Sequence, residues 1–484
     1  MNYKMMGRFI SQIIAIEAVF LLPALGISLY LGENAATFSF LQTLIVMLSL
    51  SGLFCLICRK ATRQFGPREG MVCVGLSWIV LSLLGALPFY LSGSYKSYVD
   101  AFFEIVSGFT TTGASVHPDV ESLPRGILYW RSFSNWLGGM GVLVFLLALS
   151  SSQGSGFTMH LLRAESPGPD VGKLVPKMKQ TAKILYIIYV AMTVLNVIFL
   201  LLGGLSLFDS LCTAFSTAGT GGFGIWNDSL ASRSPYIQDV TTVFMFLFGI
   251  NFSCYFLLLL RQFKNVVRDE ELRLYVGLAL TATALIVLNT WRSSFNGDIV
   301  SSLRHAAFQV SSIMTTTGFS TVNFDTWHSF SKTILLILMV VGACAGSTGG
   351  GFKCARILLV FKNLRRNIRQ VLNPKKVMVI RNNDNMVGER VVSNTGAYLG
   401  AYVIIIVICT LLLGIDGESI ETNLSATLAC INNIGPGMAA VGPYCNFSLF
   451  SDFSKILLSV AMLAGRLEIF PILILFSRTT WRKN

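Results

Sequence analysis

The chain has 484 residues, of which 53% are hydrophobic and only 13% charged, with a mean hydropathy of +0.65. Soluble domains carry about 25% charged residues and apolar runs of about 20 residues belong to bilayers, so an ordinary soluble globular protein is excluded. The net charge of +13, from 37 Lys and Arg against 24 Asp and Glu, points in so apolar a chain to cytoplasmic loops before nucleic acid. Ten Cys are scattered singly, mostly inside apolar runs, and imply no disulfide framework.

Apolar segments fall at 9–31, 37–58, 71–92, 132–150, 184–205, 239–261, 272–291, 332–361, 393–414 and 454–477, predicting ten membrane segments. The first follows Lys4 and Arg8 as a signal peptide would, but its length, Glu17 and the lack of a small-residue cleavage site favour a retained span. An even number of spans puts both termini on one side. The N-terminus, 59–70, 163–183, 261–273, 356–390 and the C-terminus together hold 27 of the 37 Lys and Arg, against eight on the opposite side. Cytoplasmic loops collect Lys and Arg, so both termini are expected in the cytoplasm. The densest cluster, Lys362, Arg365, Arg366, Arg369, Lys375 and Lys376, is first such a topology signal and second a docking surface for an acidic soluble partner or anionic lipid.

Four segments on the opposite side are half-apolar for about 12 residues, too short to cross, and then turn small and polar. They read SYVDAFFEIVSGFTTTGASV (97–116), SLFDSLCTAFSTAGTGGFGI (206–225), SLRHAAFQVSSIMTTTGFST (302–321) and TNLSATLACINNIGPGMAAV (422–441). Aligned without gaps, Gly113, Gly222, Gly318 and Gly435 coincide. The predicted organisation is an all-α integral membrane protein of four pseudo-symmetric span, re-entrant helix, span units. These occupy 69–162, 163–268, 269–381 (with a broken second span) and 382–484, around one pore and after a two-helix extension, 1–68.

Non-helical backbone at membrane depth survives only where protein buries it or water reaches it. A half-helix that returns as an extended strand aims successive carbonyl oxygens at an axis, where they replace the hydration shell of a cation. The helix dipole presents its negative end there, which suits a cation, and the aligned glycine supplies backbone freedom. One TTTG alone is a common polar turn; four at matching depth, each between two spans, point to a pore. The candidate filter is Thr110, Thr111, Thr112 and Gly113; Gly219, Thr220, Gly221 and Gly222; Thr315, Thr316, Thr317 and Gly318; and Asn432, Asn433, Ile434 and Gly435. The threonine hydroxyls either add oxygen ligands or fix the strand against its neighbours. Strands this unequal predict a modest preference for potassium over sodium. Asp100, Asp209 and Glu421 are read as helix caps, and Glu104 either attracts cations or bonds a neighbouring helix.

Together with the filter strands, the run ACAGSTGGGFK (343–353) and the ending GRLEIFP (465–471) resemble the TrkH/TrkG and KtrB superfamily of potassium transporters. The TrkH branch is nearer, because two extra spans precede the first unit. The resemblance implies a homodimer with one pore per protomer in a bacterial inner membrane, associated with a cytosolic, nucleotide-binding, TrkA-like regulatory subunit. It implies potassium as the ligand, with rubidium and sodium as analogues. This chain has no GxGxxG following a strand and no other cofactor motif, so nucleotide control falls to the partner. Gly346, Ser347, Thr348, Gly349, Gly350 and Gly351 cannot hold a stable helix at bilayer depth, and the family places a movable gate here. Arg466, read as near the middle of the last span, matches the family's arginine and presents a positive barrier below the filter; Glu468 is expected to point elsewhere. Lys353 marks the cytoplasmic end of its helix or assists the gate. The rival reading is a symporter coupling potassium to protons or sodium. A membrane enzyme is disfavoured, for no nucleophile–base pair or metal cluster stands out and the four His are far apart.

Overall fold

The computed structural model describes residues 1–59, 67–139, 141, 178–383 and 385–482. Residues 142–150 of the fourth predicted span, the basic segments 60–66 and 163–177, and Lys483 lie outside them. The described chain is helical nearly throughout; a two-stranded ribbon pairs Arg381–Asn382 with Asn385–Met386.

An N-terminal hairpin consists of α1 (Tyr3–Leu31) and α2 (Asn34–Ile57). Asn2 caps α1 by accepting from the Met5 N–H at 3.1 Å, and Gly32 ends it in the left-handed conformation. The hairpin is stitched by Ser11 and Ser51, each hydroxyl donating to the other residue's carbonyl at 2.8 and 2.9 Å, the small-polar contact that membrane helices favour.

The helices that follow are α3 (Pro67–Gly85), α4 (Leu87–Leu91), α5 (Tyr98–Phe109), α6 (Arg125–Gly139), α7 (Met178–Leu202) and α8 (Leu207–Gly219). Beyond them lie α9 (Pro235–Phe248), α10 (Phe252–Leu259), α11 (Phe263–Arg268), α12 (Glu270–Thr290), α13 (Ile299–Met314) and α14 (Ser329–Val341). The chain closes with α15 (Cys354–Leu372), α16 (Glu389–Leu413), α17 (Ile420–Ile431), α18 (Asp452–Arg466), α19 (Phe470–Phe476) and α20 (Arg478–Trp481). Among the described residues, six helices are long and apolar enough to cross a membrane, or seven if one bent pair counts as a single span. That establishes a multi-pass membrane protein.

Besides the break expected in 332–361, two further predicted spans are sharply interrupted. The segment 239–261 bends by 88° between α9 and α10. Asn251 starts the second helix by accepting from the Ser253 N–H at 2.9 Å. Groups freed at the bend are taken up by the glycine-rich loop: the Cys344 N–H donates to Gly249 at 3.1 Å, and the Phe252 N–H donates to Gly346 at 3.0 Å. The bend is therefore satisfied within the protein, as bilayer depth requires. The last segment, 454–477, stops at Arg466; Glu468 and Ile469 carry positive φ of 61° and 62°, and Pro471 restarts the chain as α19. Arg466 thus ends a helix rather than sitting mid-span. The 332–361 segment divides into α14 and α15 around residues 342–353.

Candidate ion pathway

The short helices α5, α8, α13 and α17 converge, and their C-terminal ends share one backbone device. Their N-caps are Ser97, Ser206, Asp298 and Ser419. Asp100, Asp209 and Glu421, read as caps from sequence, stand instead in the first turns, where Asp100 pairs with Lys455 at 2.6 Å and Glu421 with Lys332 at 3.5 Å. At the other end, Thr111, Thr220, Thr316 and Asn433 all adopt the left-handed conformation, with φ of 56°, 52°, 60° and 56°. The next N–H, that of Thr112, Gly221, Thr317 and Ile434, reaches back to Ser107, Ser216, Ser312 and Ala429 at 2.8, 2.9, 2.8 and 2.9 Å. This closes each helix by the crossed pattern usually built on glycine. Three of the four left-handed residues are threonine, whose branched Cβ makes that conformation costly by about 1–2 kcal/mol.

One residue beyond stand Gly113, Gly222, Gly318 and Gly435, with φ of 78°, 65°, 86° and 100°. Their packing closes a ring. A Cβ on Gly113 would strike the carbonyl oxygen of Gly221; on Gly222, that of Thr317; on Gly318, that of Ile434; and on Gly435, that of Thr112, at 2.7 Å. Each glycine thus abuts the carbonyl just before the next glycine, and the fourth returns to the first. All of the filter threonines are buried, as are Asn432, Asn433 and Ile434.

Several of the hydroxyls hold the strands. Thr110 and Thr112 share a hydrogen bond at 2.8 Å, as do Thr315 and Thr317, and Thr110 and Thr315 also donate to Val106 and Ser311 at 2.7 Å. Asn433 ties the fourth strand to the first through Thr112 Oγ1 and to α18 through the Met462 carbonyl, both at 3.0 Å. Asn432 exchanges bonds with the Tyr402 hydroxyl. The second strand lacks a threonine pair; Thr220 Oγ1 donates to Gly219 at 2.7 Å.

Of Gly346, Ser347, Thr348, Gly349, Gly350 and Gly351, the last three lie directly against this ring. A Cβ on Gly349 would meet the Thr315 carbonyl and one on Gly350 that of Asn432, while the Gly350 N–H donates to Thr316 Oγ1 at 2.6 Å. Ser347 Oγ donates to Cys344 at 2.7 Å and Thr348 Oγ1 to Phe248 at 3.2 Å. Arg466 binds the loop at the Thr348 carbonyl, 2.8 Å away, and the end of α6 at the carbonyls of Gly139 (2.8 Å) and Gly138. The guanidinium satisfies carbonyls that a helix end leaves open. Lys353 does not mark a cytoplasmic helix end: it is buried at the start of α15, and its ammonium donates to Gly349. Glu468 bonds Arg356, whose guanidinium lies over the Tyr398 ring at 4.0 Å.

Two buried carboxylates complete the surroundings of the ring, Glu271 in a role the sequence did not assign and Glu104 in one of the two it offered. Glu271, buried at the start of α12, accepts from the Ala345 N–H before the glycine loop and from the Ala355 N–H after it, the latter at 3.1 Å. Glu104 bonds both a neighbouring helix and the strand beyond Gly113, through Arg131 and Ser115. Arg131, in α6, is buried. Its one sequence signal was a charge amid the aromatic residues Tyr129, Trp130 and Phe133.

The apolar helices around this ring mark a multi-pass membrane protein. The family profile described as TrkH, cation transport protein, matches residues 36–483. The chain is 35% identical to the Trk system potassium uptake protein TrkH of Salmonella typhimurium, over all of both chains. It is 32% identical to the TrkG protein of Escherichia coli K12 across 96% of this chain and 95% of the relative. Among solved structures it matches the crystal structure of the potassium transporter TrkH from Vibrio parahaemolyticus with a TM-score of 0.89 at 31% identity, each chain covered in full. The chain belongs to the TrkH family, a family of transporters rather than enzymes.

Proposed function

We propose that this protein takes up potassium across a bacterial inner membrane through a channel-like pore, down the ion's electrochemical gradient. The observation that carries the reading is the closed packing of Gly113, Gly222, Gly318 and Gly435 against one another's preceding carbonyls. Such a ring offers a dehydrated cation a cage of peptide oxygens. The potassium system named for the relatives supports the choice of ion. In this reading four span, pore-helix, span units surround the axis after a two-helix extension. The strands 110–113, 219–222, 315–318 and 432–435 are the filter, and Gly346, Ser347, Thr348, Gly349, Gly350, Gly351 and Arg466 are the gate. Arg466 both holds the loop beneath the ring and sets a positive charge against entering cations. Both termini are cytoplasmic by the excess of Lys and Arg on that side. The protein works as a homodimer under a TrkA-like nucleotide-binding subunit that moves the gate.

Purified protein in liposomes tests this. Rubidium uptake that sodium competes with only at excess is expected; absence of uptake overturns the reading. The symporter reading draws on Glu17, buried in α1 with neither carboxyl oxygen hydrogen-bonded, since an ionisable group inside a membrane span is a common mark of coupling. A reversal potential that shifts with pH at constant potassium would favour it.

A further inference from the structure

Resting on the pore reading, we propose that Glu104 and Arg131 form a clamp that spaces the first and second filter strands and thereby contributes to ion discrimination. The Glu104 carboxylate is wholly buried behind the first strand. It accepts from Ser115 Oγ and from the Val116 N–H, both at 2.9 Å, in the chain just beyond Gly113. It also accepts from Arg131 Nε at 2.6 Å. From α6, Arg131 then reaches the chain just beyond Gly222: Nη1 donates to the Gly224 carbonyl at 2.6 Å, and the guanidinium lies over the Phe223 ring at 3.8 Å. One ion pair therefore ties two filter strands together. The rigid guanidinium fork lets one nitrogen face the carboxylate while another holds a different acceptor.

The clamp stands where the ring most needs it. The first and third strands have the internal hydroxyl pairs of Thr110 with Thr112 and Thr315 with Thr317. The second has glycine on both sides of Thr220, the most deformable backbone of the four. At the positions aligned with Glu104 the other units carry Thr213, Gln309 and Ala426, so a carboxylate occurs there once. The outer segments of the second and third strands are joined by neutral bonds, Leu230 N–H to Ser320 at 3.0 Å and Ser320 N–H to Ser229 Oγ at 3.1 Å. Those of the first and fourth are joined by Phe447 N–H to Ser115 at 2.8 Å. A buried ion pair broken on one side leaves an uncompensated charge, so either partner alone is a liability and the two act as a unit.

The test is rubidium uptake into liposomes with graded sodium competition, on wild type, Glu104→Gln, Arg131→Met, Arg131→Lys and the Glu104→Gln/Arg131→Met double variant. Loss of either partner is expected to make sodium about tenfold more effective as a competitor. The double variant should be no worse than the stronger single, because both substitutions remove one clamp. Arg131→Lys keeps the charge without the second nitrogen, should fold where Arg131→Met does not, and should shift the ratio part of the way. A wild-type ratio in any single variant that is inserted and active overturns the proposal, as do additive effects in the double variant. Failure of the wild type to take up rubidium would instead sink the pore reading, so the two failures are distinct.

Discussion

The carbonyl ring and the glycine-rich loop packed against it are both irregular backbone among the helices, yet they are held in opposite ways. The ring repeats one backbone device at four corners, a left-handed residue, a crossed N–H and a positive-φ glycine, while the side chains vary from Thr to Asn to Ile. The loop is held through side chains from four elements: Arg466 of α18, Glu271 of α12, Lys353 at the start of α15 and Thr316 of the third strand. A ring made of peptide groups tolerates altered side chains but not an added Cβ. A loop made of glycine tolerates backbone movement but depends on a few polar anchors. In the proposed reading, that division suits a rigid binding site and a closure that moves against it.

The comparison breaks most sharply at the ring. Gly222→Ala would place a methyl group against the Thr317 carbonyl at a φ of 65°; rubidium uptake should fall on the order of 100-fold at normal expression, since no flexible side chain can yield. Near-normal uptake would mean that the ring is not the path. At the loop, Arg466→Ala removes three carbonyl contacts and a half-buried charge and should raise flux through the closed state by about tenfold. Unchanged or lower flux at normal abundance would reject the barrier. The smallest effect is expected from Thr316→Val, which keeps the branched shape but removes the acceptor of the Gly350 N–H. One neutral bond of about 1 kcal/mol supports at most a fewfold rise in basal leak, measured in the same liposomes. A larger change would move Thr316 from anchor to ion ligand.

How much of this was legible from the chain follows the range of each interaction. The repeated run-and-glycine pattern placed Gly113, Gly222, Gly318 and Gly435 in register, and the structure brings the four together. The break in 332–361 was legible because six small residues in succession cannot sustain a helix. The 88° bend after Phe248 was not, for it rests on partners far along the chain: the Gly249 carbonyl accepts from the Cys344 N–H, and the Phe252 N–H donates to Gly346. Nor was the left-handed conformation of Thr111, Thr220 and Thr316, which opposes threonine's own preference and persists because the packed ring imposes it. The pairing of Glu104 with Arg131 was hidden too, because charges on two helices announce no partner.

Local chemistry alone dictated an apolar, many-helix membrane protein with four half-spans, their aligned glycines and one broken segment, since hydropathy and backbone freedom act over a few residues at a time. Tertiary packing decided which carbonyl faces which glycine, where two further helices break, and which acceptor answers each buried cation. Those choices depend on groups brought together from distant parts of the chain, where an unpaired charge or peptide group in a dry interior costs too much to remain alone.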